Sequence, residues 1–397
     1  MSVQKASPAE QARPKHVRPM GLYIHIPFCM SRCYYCDFVS TAGLSRSWQT
    51  RYRDALRKEL AFYISGGYTD AGFDTLYIGG GTPTYLDGDL LEGIVTDFAA
   101  LLRGGDDAEF TVEANPGTLT VQKLAALRRA GCNRLSIGAQ SFDDRYLVWL
   151  GRSHDAAAFR QAWEWAREAG FTNMNLDLLY GLPDQFMAHW ERTLREALAY
   201  QPEHISLYQL NIEPGTRLAQ LADAGQTCVA DEENCRGQYL LAHRMLTDAG
   251  YDHYEISNYA KAGRESRHNL QCWRNGFYLG LGAGAAGYLP EPRLRYGNTG
   301  DLERYLADTE KGSKPVAEQE RIDARLAMAE EMMLAFRLRE GVDAGGFHAR
   351  WGMELEEAFG DALQKHLAAG LLEKARESLQ PTLEGWLTYN VWIPEYL

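Results

Sequence analysis

The chain has 397 residues and a formal net charge of −12, so it is long enough to bury a large core and too acidic to favour nucleic acid or an anionic membrane as its main partner. Hydrophobic residues make up 45% and charged residues 24%, which is typical of a globular protein and not of a membrane-spanning one. Residues 1–20 are polar and basic with no apolar leader. We therefore expect a disordered tail (1–20) on a cytoplasmic protein that has no integral membrane segment and no nucleic-acid partner.

Short β-branched or alternating runs separate amphipathic stretches in the first half of the chain. The predicted strands are Leu22–Ile26, Thr75–Ile78, Glu109–Glu113, Arg134–Gly138, Asn173–Leu178 and His204–Leu210. The predicted helices are Trp48–Ile64, Leu90–Leu102, Val121–Ala130, Ala156–Ala169 and His189–Tyr200. Alternation of strand and helix implies a parallel sheet with right-handed crossovers. The sequence therefore predicts an α/β fold, with an incomplete parallel (β/α) barrel over residues 21–215.

The pattern changes after Gln209, and we divide the remainder into an extension (216–300) and a smaller, mostly helical C-terminal domain (301–397). The predicted elements are helices Asp231–Ala249, Glu318–Leu338 and Glu354–Ala369, the segment Tyr251–Ser257, a glycine-rich run from Gly276 to Gly287, and a terminal hairpin of Leu371–Glu373 with Trp386–Trp392. The helix–helix–wing order resembles winged-helix modules. In an acidic chain we expect such a module to pack as a lid and not to bind DNA.

The distinctive residues follow the predicted strands directly. They are the cysteine loop from Cys29 to Cys36, Gly79–Pro83, Glu113–Pro116, Gln140 and Asp177. The carboxyl ends of the strands in a parallel barrel carry the functional site. Turns favour glycine and proline in any protein, but that preference does not explain five such loops. The sequence predicts one site at this end of the barrel.

Three cysteines, Cys29, Cys33 and Cys36, lie within eight positions immediately after the first strand. A loop with this spacing can place three thiolates at three corners of a 4Fe–4S cubane and leave the fourth iron open to another ligand. A structural zinc site that uses His25 or a distant fourth ligand is an alternative, but such sites usually need a second closely spaced pair of ligands. The spacing favours the cluster.

At this point the sequence resembles the radical S-adenosylmethionine superfamily, whose signature is C-x-x-x-C-x-x-C after a strand. The surrounding motifs resemble its HemN-like branch, which contains oxygen-independent coproporphyrinogen III oxidases and HemW-type haem chaperones. They are Leu22-Tyr-Ile-His-Ile-Pro-Phe-Cys29, Gly79-Gly-Gly-Thr-Pro83, Glu113-Ala-Asn-Pro116, Ser136-Ile-Gly-Ala-Gln-Ser-Phe142 and Asn175-Leu-Asp-Leu-Leu-Tyr-Gly-Leu-Pro183. The resemblance extends from about Leu22 to the end of the sequence.

The resemblance implies that S-adenosylmethionine chelates the open iron and is held by residues of these motifs. Backbone groups that approach its methionine part would come from Gly80, Gly81 and Thr82. Side chains that hold its polar parts would be Glu113, Gln140, Arg152 and Asp177, with Tyr23, Tyr35 and Asn211 beside the cofactor. For Asp177, a role in capping a helix or turn is an alternative.

Two features distinguish the oxidases from the chaperones. The oxidases extend the cluster motif by a further cysteine, whereas this chain has Phe38 at that position, in Cys36-Asp-Phe38. The oxidases also carry a longer segment before the motif, and here 28 residues precede Cys29. Both differences point away from coproporphyrinogen decarboxylation and towards the HemW-type proteins.

A second motif supports this assignment. HemW-type proteins carry an H-N-x-x-Y-W motif linked with haem binding, and His268-Asn-Leu-Gln-Cys-Trp273 resembles it. His268 would offer an imidazole to haem iron and Trp273 would cover a porphyrin face, although a buried loop histidine beside a core tryptophan is the plainer interpretation. Cys272 replaces the tyrosine of the motif, and Ala286 stands where relatives usually have histidine.

The sequence therefore predicts a haem chaperone that binds haem, a 4Fe–4S cluster and S-adenosylmethionine, and passes haem to an acceptor protein. A reductant for the cluster is a further expected partner. The main alternative is a radical enzyme acting on a tetrapyrrole or another organic substrate, of which the coproporphyrinogen III oxidase version is disfavoured by Phe38. A zinc-stabilised binding module is a third hypothesis.

Overall fold

The computed structural model describes residues 20–70, 72–290, 293–376 and 378–397. The predicted tail, apart from Met20, lies outside these described residues. Among the residues that the structure describes, no helix is both long enough and apolar enough to cross a bilayer.

The strands in chain order are β1 (Met20–Ile26), β2 (Phe28–Cys29), β3 (Thr41–Ala42), β4 (Thr75–Gly80), β5 (Glu109–Ala114), β6 (Arg134–Gln140), β7 (Met174–Tyr180), β8 (His204–Gln209), β9 (Asp252–Glu255), β10 (Asn258–Ala260), β11 (Phe277–Leu281), β12 (Ala286–Leu289), β13 (Leu294–Asn298), β14 (Val316–Arg321), β15 (Val342–Asp343), β16 (Leu372–Ala375) and β17 (Ser378–Pro381).

The helices are α1 (Arg46–Ser65), α2 (Gly88–Ala99), α3 (Val121–Arg129), α4 (Asp144–Trp149), α5 (Ala156–Glu168), α6 (Met187–Ala199), α7 (Arg217–Asp223), α8 (Glu232–Asp248), α9 (Arg267–Trp273), α10 (Leu302–Glu310), α11 (Ala324–Ala335), α12 (Ala344–Trp351), α13 (Leu355–Ala368), α14 (Leu383–Leu387) and α15 (Tyr389–Trp392). Short 3₁₀ turns are Pro83–Tyr85, Gly105–Asp107, Pro116–Thr118 and Ile393–Tyr396.

A mostly parallel sheet is the centre of the fold. Its strand order is β14-β13-β12-β11-β1-β4-β5-β6-β7-β8-β10-β9, and the seven strands from β11 to β8 run parallel. The six strands predicted from the sequence are all present as neighbours in this run. The predicted α/β class is confirmed, and the sheet ends in two edges, as expected of an incomplete barrel.

Antiparallel strands extend the sheet at both ends, and the sequence did not predict most of them. The glycine-rich run Gly276–Gly287 contains β11 and the start of β12, because glycines there let neighbouring strands approach closely: a Cβ on Gly280 would lie 1.7 Å from the Ala286 carbonyl oxygen. The predicted helix Glu318–Leu338 is wrong in its first part, which is β14 paired with β13.

The smaller C-terminal unit has its own apolar core, formed by side chains such as Phe336, Phe347, Leu363 and Trp392. A three-stranded sheet of order β15-β17-β16 lies beside its helices. The predicted terminal hairpin is correct for its first strand only, since Trp386–Trp392 falls in α14 and α15. The domain borders at 215 and 300 stay predictions.

Polar and apolar side chains alternate along the parallel strands. The polar side chains line the lumen, which is the space inside the curved sheet, and the apolar ones form a layer outside it. On β6, Leu135, Ile137 and Ala139 belong to the main apolar core, whereas Arg134 and Ser136 line a cavity inside the curved sheet. The same division holds on β7 and β8. The lumen of a closed barrel is usually filled by branched apolar side chains. Here it is polar and contains space for a ligand.

Glu59 on α1 connects this helix to the extension. Its carboxyl accepts hydrogen bonds from the Gly282 backbone N–H (2.9 Å), the Asn298 amide (2.6 Å) and the Tyr305 hydroxyl (2.6 Å). The side chain is fully buried, and this burial raises its pKa to about 7 against the opposing effect of the three donors. One carboxyl thus joins α1 to β13, α10 and the end of β11.

We expect Glu59→Ala to lower the free energy of unfolding by about 3 kcal/mol, because three buried donors each lose an acceptor at about 1 kcal/mol or more. Chemical denaturation would measure the change. Asp54→Ala, at an exposed position of the same helix, is the matched control and should change stability little. Equal effects of the two substitutions would contradict the role assigned to Glu59.

Candidate active site at the mouth of the barrel

A cavity of about 1630 Å³, which includes its open mouth, lies at the carboxyl ends of the parallel strands and continues into the lumen. Most of the site residues expected from the sequence line it. They are Cys29, Cys33, Tyr35, Cys36, Gly80, Gly81, Thr82, Glu113, Gln140, Arg152, Asp177 and Asn211. Tyr23 and His268 are not part of this lining.

The cysteine loop is closed by a short strand pair. β2, which ends at Cys29, pairs in parallel with β3, and the Gly43 N–H donates to the Cys29 carbonyl at 3.2 Å. Within the loop, the Cys36 N–H donates to the Cys33 carbonyl at 3.3 Å. The backbone of Tyr34 bonds to Leu150 and Leu218, which anchors the loop to the barrel rim. These contacts hold the three cysteines at the cavity mouth.

The thiols have polar partners suited to bound thiolates. The Arg152 guanidinium donates from Nη1 to Cys33 Sγ at 3.5 Å, and Cys29 Sγ lies 3.5 Å from Thr82 Oγ1. Burial raises the pKa of the Cys29 thiol, and it raises that of Cys36 to about 11, so both need a metal to ionise at neutral pH.

The arrangement of the thiols also bears on which metal group they hold. Among the described residues, no three His, Cys, Asp or Glu side chains converge on a position for one metal ion. A cubane binds each sulfur at a different iron, and three separate thiols on one closed loop fit that requirement. The donor set therefore fits a 4Fe–4S cluster better than a single zinc ion.

The glycine loop after β4 makes close contacts that only glycine allows. A Cβ on Gly81 would lie 2.9 Å from Cys29 Sγ, and a Cβ on Gly80 would lie 2.6 Å from the His25 ring. Gly80 also has a φ of +112°, in a region that favours glycine. Glycine at these two positions lets the loop lie against the first cysteine and leaves its backbone open to the cavity.

Glu113 lies beside this loop at the end of β5. Its carboxyl accepts a hydrogen bond from the Tyr77 hydroxyl at 2.7 Å and one from the Gly80 N–H at 3.0 Å. Burial raises its pKa to about 7, and the neighbouring Asp177 carboxyl adds to the rise. The group therefore changes charge near neutral pH and suits the polar part of a cofactor.

Asp177 lies in the middle of β7 and lines the cavity. It accepts hydrogen bonds from the Asn175 amide (2.7 Å) and from the Ser136 hydroxyl (3.3 Å) on β6. Burial raises its pKa despite these donors. Because it caps neither a helix nor a turn in the structure, the alternative structural role for Asp177 is not supported.

The Gln140 and Arg152 side chains both lie beside Gly138, near the end of β6. Gln140 has a φ of +63°, a left-handed conformation that is uncommon for residues other than glycine, and it follows a register shift between β6 and β7. Arg152 donates from Nη2 to the Gly138 carbonyl at 2.7 Å, while its buried Nε has no partner among the described residues. Arg152 thus lines the cavity and has one donor without a partner among the described residues.

The three remaining residues assigned to the cofactor differ in position. Tyr35 packs against a small apolar cluster that includes Leu150 and Leu218. Asn211 lies just beyond β8 in the cavity lining. Tyr23 lies within the sheet interior, where its hydroxyl bonds to His25 Nδ1 at 2.9 Å. Tyr23 therefore does not line the cavity in which the other expected residues meet.

His268 lies at the opposite end of the lumen from the cysteines. It is 5% exposed, its ring Nδ1 bonds to the Thr75 hydroxyl at 2.8 Å, and its backbone N–H donates to the Glu109 carboxyl at 2.9 Å. Thr75 and Glu109 begin β4 and β5, so α9 closes the amino-terminal end of these strands. Burial lowers the pKa of His268 to about 3, so its imidazole is neutral.

Of the two departures from the pattern of the relatives, Cys272 lies within α9 and Ala286 lies in the sheet. Burial raises the pKa of the Cys272 thiol to about 12, which keeps it protonated at neutral pH. Ala286 begins β12 and is exposed. The Arg337 guanidinium stacks over the Trp273 ring at 4.3 Å, so this indole face is already covered by a cation.

The sequence interpretation missed several side chains of the lumen. They are Tyr77, Arg134, Ser136, Asn175, His204, Ser206 and Tyr208. Each lies at an inward position of a strand whose alternate residues are apolar, so the period of two along the predicted strands could have shown that they face the lumen.

Comparison with known proteins agrees with this geometry. Residues 23–197 match the model of the radical SAM superfamily, and residues 322–388 match that of the HemN C-terminal domain. The heme chaperone HemW of Bacillus subtilis (strain 168) is 36% identical over 370 residues, covering 93% of this chain and 96% of that protein. The heme chaperone HemW of Escherichia coli (strain K12) is also 36% identical, over 382 residues, covering 96% and 98%. The chain belongs to the HemW family.

A solved structure shares the fold of this HemW-family chain. The coproporphyrinogen III oxidase HemN from Escherichia coli, a radical SAM enzyme, gives a TM-score of 0.81 at 22% identity, covering 96% of this chain and 90% of that one. At this identity the likeness shows the fold alone. The predicted membership of the radical SAM superfamily and of its HemN-like branch is confirmed.

The cysteine assignment predicts iron content. Protein purified without oxygen should contain about four irons and four sulfides per chain, and Cys29→Ala, Cys33→Ala or Cys36→Ala should lose the brown chromophore. Cys228→Ala, at an exposed cysteine, is the control that should keep it. Stoichiometric zinc without acid-labile sulfide would contradict the cluster.

The raised pKa of Glu113 predicts pH-dependent cofactor binding. Its carboxyl gains negative charge as the pH rises through about 7, so S-adenosylmethionine affinity should increase from about pH 6 to about pH 8. Glu113→Gln should bind about tenfold more weakly and lose this part of the pH dependence, as measured by calorimetry on cluster-loaded protein. The same pH profile in both proteins, with unchanged iron, would exclude Glu113 from the site.

Proposed function

We propose that this protein is a haem chaperone, which binds haem and passes it to an acceptor protein, with a 4Fe–4S cluster and S-adenosylmethionine at the mouth of its barrel. Similarity to heme chaperones of the HemW family over more than nine-tenths of the chain is the observation that supports this most directly. Phe38, in place of the oxidases' additional cysteine, agrees with it.

Residues at the mouth have chemistry suited to these cofactors. Cys29, Cys33 and Cys36 would hold the cluster, and Arg152 would stabilise the thiolate of Cys33 through its existing contact. When bound, the cluster and S-adenosylmethionine supply one-electron chemistry at the open iron. Glu113 and Asp177 would accept hydrogen bonds from the cofactor's hydroxyl or ammonium groups.

Free thiols at the cluster site favour a reducing compartment, so we place the protein in the cytoplasm, where an electron donor for the cluster would be a further partner. The predicted extension (216–300) and C-terminal domain (301–397) would cover the amino-terminal end of the barrel through α9 and its neighbours. The acceptor protein would meet the haem on an exposed face of this region.

His268 is our proposed haem ligand, and the structure sets a condition on that role. Because the imidazole is 5% exposed and bonded to Thr75, haem iron reaches it only if α9 moves away from the start of β4. Haem binding would therefore be coupled to a shift of this helix. Cys272, whose thiol is protonated, is a weaker candidate ligand.

A radical enzyme remains the second candidate, because the polar lumen extends well past the cysteine loop and could hold an organic substrate. Production of 5′-deoxyadenosine by reduced, cluster-loaded protein in the presence of a substrate would favour it. Coproporphyrinogen III is the substrate that Phe38 makes least suitable.

We expect the protein to bind haem at about micromolar concentration and to form no protoporphyrinogen from coproporphyrinogen III under reducing, anaerobic conditions.

His268→Ala should shift or abolish the Soret band, because the axial ligand sets the ligand field of the iron. Thr75→Val removes the hydrogen bond that holds the imidazole, so haem should associate faster with this variant.

Stopped-flow absorbance of haem binding and transfer to apomyoglobin would measure these effects, with Cys228→Ala as the control. An unchanged spectrum in His268→Ala would place the ligand elsewhere. Absence of haem binding together with protoporphyrinogen formation would overturn the chaperone proposal.

A further inference from the structure

Arg134 is a buried cation at the amino-terminal end of the lumen. It begins β6, is 2% exposed, and lines the same cavity as the cysteine loop. Its Nη1 lies 3.5 Å from Thr111 Oγ1, at the outer limit of a hydrogen bond, and its buried Nε has no partner. Among the described residues it forms no ion pair.

The lumen carboxyls of Glu113 and Asp177 interact with this charge at a distance, since Arg134 partly opposes the rise in their pKa, but neither is bonded to it. Glu113 is already bonded to Tyr77 and Gly80, and Asp177 to Asn175 and Ser136. Burial raises the pKa of Asp177, and it raises that of Glu113 to about 7, so the Glu113 carboxyl is only partly charged at neutral pH. A buried guanidinium without a close counter-ion is strongly unfavourable.

The remaining titratable neighbours are neutral. Burial lowers the pKa of His204 and of His268, and the positive charge of Arg134 lowers both further. His204 is bonded to Asn175 and to the Tyr254 hydroxyl, so neither of its ring nitrogens is available to a ligand. The imidazoles therefore add no charge to that of Arg134 in the interior of the barrel.

Asn269 provides a second polar group at this end. It follows His268 on α9, lines the cavity, and its side-chain amide has no hydrogen bond to any described residue. The backbone of α9 is held here by the N–H groups of Arg267 and His268, which donate to Glu109. A guanidinium and an amide thus face the lumen with unused donors.

We propose that the amino-terminal end of the lumen binds the carboxylate of an organic ligand, with Arg134 as its counter-charge and Asn269 as a second donor. A guanidinium matches a carboxylate in geometry and charge and can bond to both of its oxygens. Arg134 and Gln140 stand at opposite ends of β6, about 20 Å apart along the strand. A carboxylate held at the cysteine loop would therefore not neutralise Arg134, and the subsite is distinct from that of S-adenosylmethionine.

Two sources could supply this carboxylate: a free small monocarboxylate, or a propionate group of a tetrapyrrole. The test uses full-length, cluster-loaded protein saturated with S-adenosylmethionine. In the first arm, the melting temperature is measured in sodium propionate, in sodium chloride of equal ionic strength, and in neutral propionamide. In the second arm, visible absorbance follows the binding of haem and of haem dimethyl ester, in which both propionates are blocked.

If the free carboxylate binds, propionate at about 100 times its Kd should raise the melting temperature by about 3 °C, and propionamide should not. Arg134→Gln should lose this increase, Arg134→Lys should keep part of it, and Arg160→Gln, at an exposed arginine, should keep all of it.

If a tetrapyrrole supplies the carboxylate, haem should bind at least tenfold more tightly than its dimethyl ester, and Arg134→Gln should remove that difference.

Because propionate and propionamide are compared on the wild-type protein, the first arm remains decisive even if Arg134→Gln does not fold. It also contains no haem, so its outcome does not depend on whether the chain is a haem chaperone. Equal melting temperatures in propionate and propionamide, together with equal affinities for haem and its ester, would overturn the subsite. Loss of haem binding alone, with the propionate effect intact, would count against the chaperone proposal and leave the subsite standing.

Discussion

The polar lumen of the curved sheet is the constraint on which the rest of this structure depends. Buried polar groups need hydrogen-bond partners. The side-chain amide of Asn175 provides four of these hydrogen bonds. The Asn175 Nδ2 group donates to Ser136 and Asp177, while its Oδ1 accepts from Ser206 and from Nδ1 of His204. This network joins β6, β7 and β8 through their inward faces. It holds Asp177 at the mouth and keeps the interior open to a polar ligand, in contrast to barrels filled by apolar layers.

Local sequence predicted the parallel part of the fold well, because its strands and helices alternate in short, regular units. The antiparallel additions were harder. Val316–Arg321 consists largely of residues that favour helix, yet it is a strand because it pairs with β13. Trp386–Trp392 was expected as a strand on its aromatic content and is helical, with Trp386 and Trp392 packed into the C-terminal unit. In each case a partner elsewhere in the chain decided the structure.

The site was predictable where motifs follow strands and less so inside the lumen. The three cysteines, the glycine loop, Glu113 and Asp177 meet at one mouth, as parallel strands require. Arg134 lay within a predicted strand but was not identified, since its importance comes from missing partners, which no local pattern reveals. His268 was assigned by resemblance alone, and only the structure shows that its imidazole is buried at the far end of the lumen.

A sheet that does not close keeps two edges, and exposed edges invite other chains to add strands. At one edge, β14 presents five exposed side chains, most of them charged or polar, over Val316–Arg321. At the other, residues 337–339 lie along β9: the Ile256 N–H donates to the Arg337 carbonyl and the Arg339 N–H to that of Tyr254. The C-terminal unit thereby covers one edge and charge protects the other. An open barrel with an accessible interior is thus compatible with a chain that does not polymerise through its own sheet.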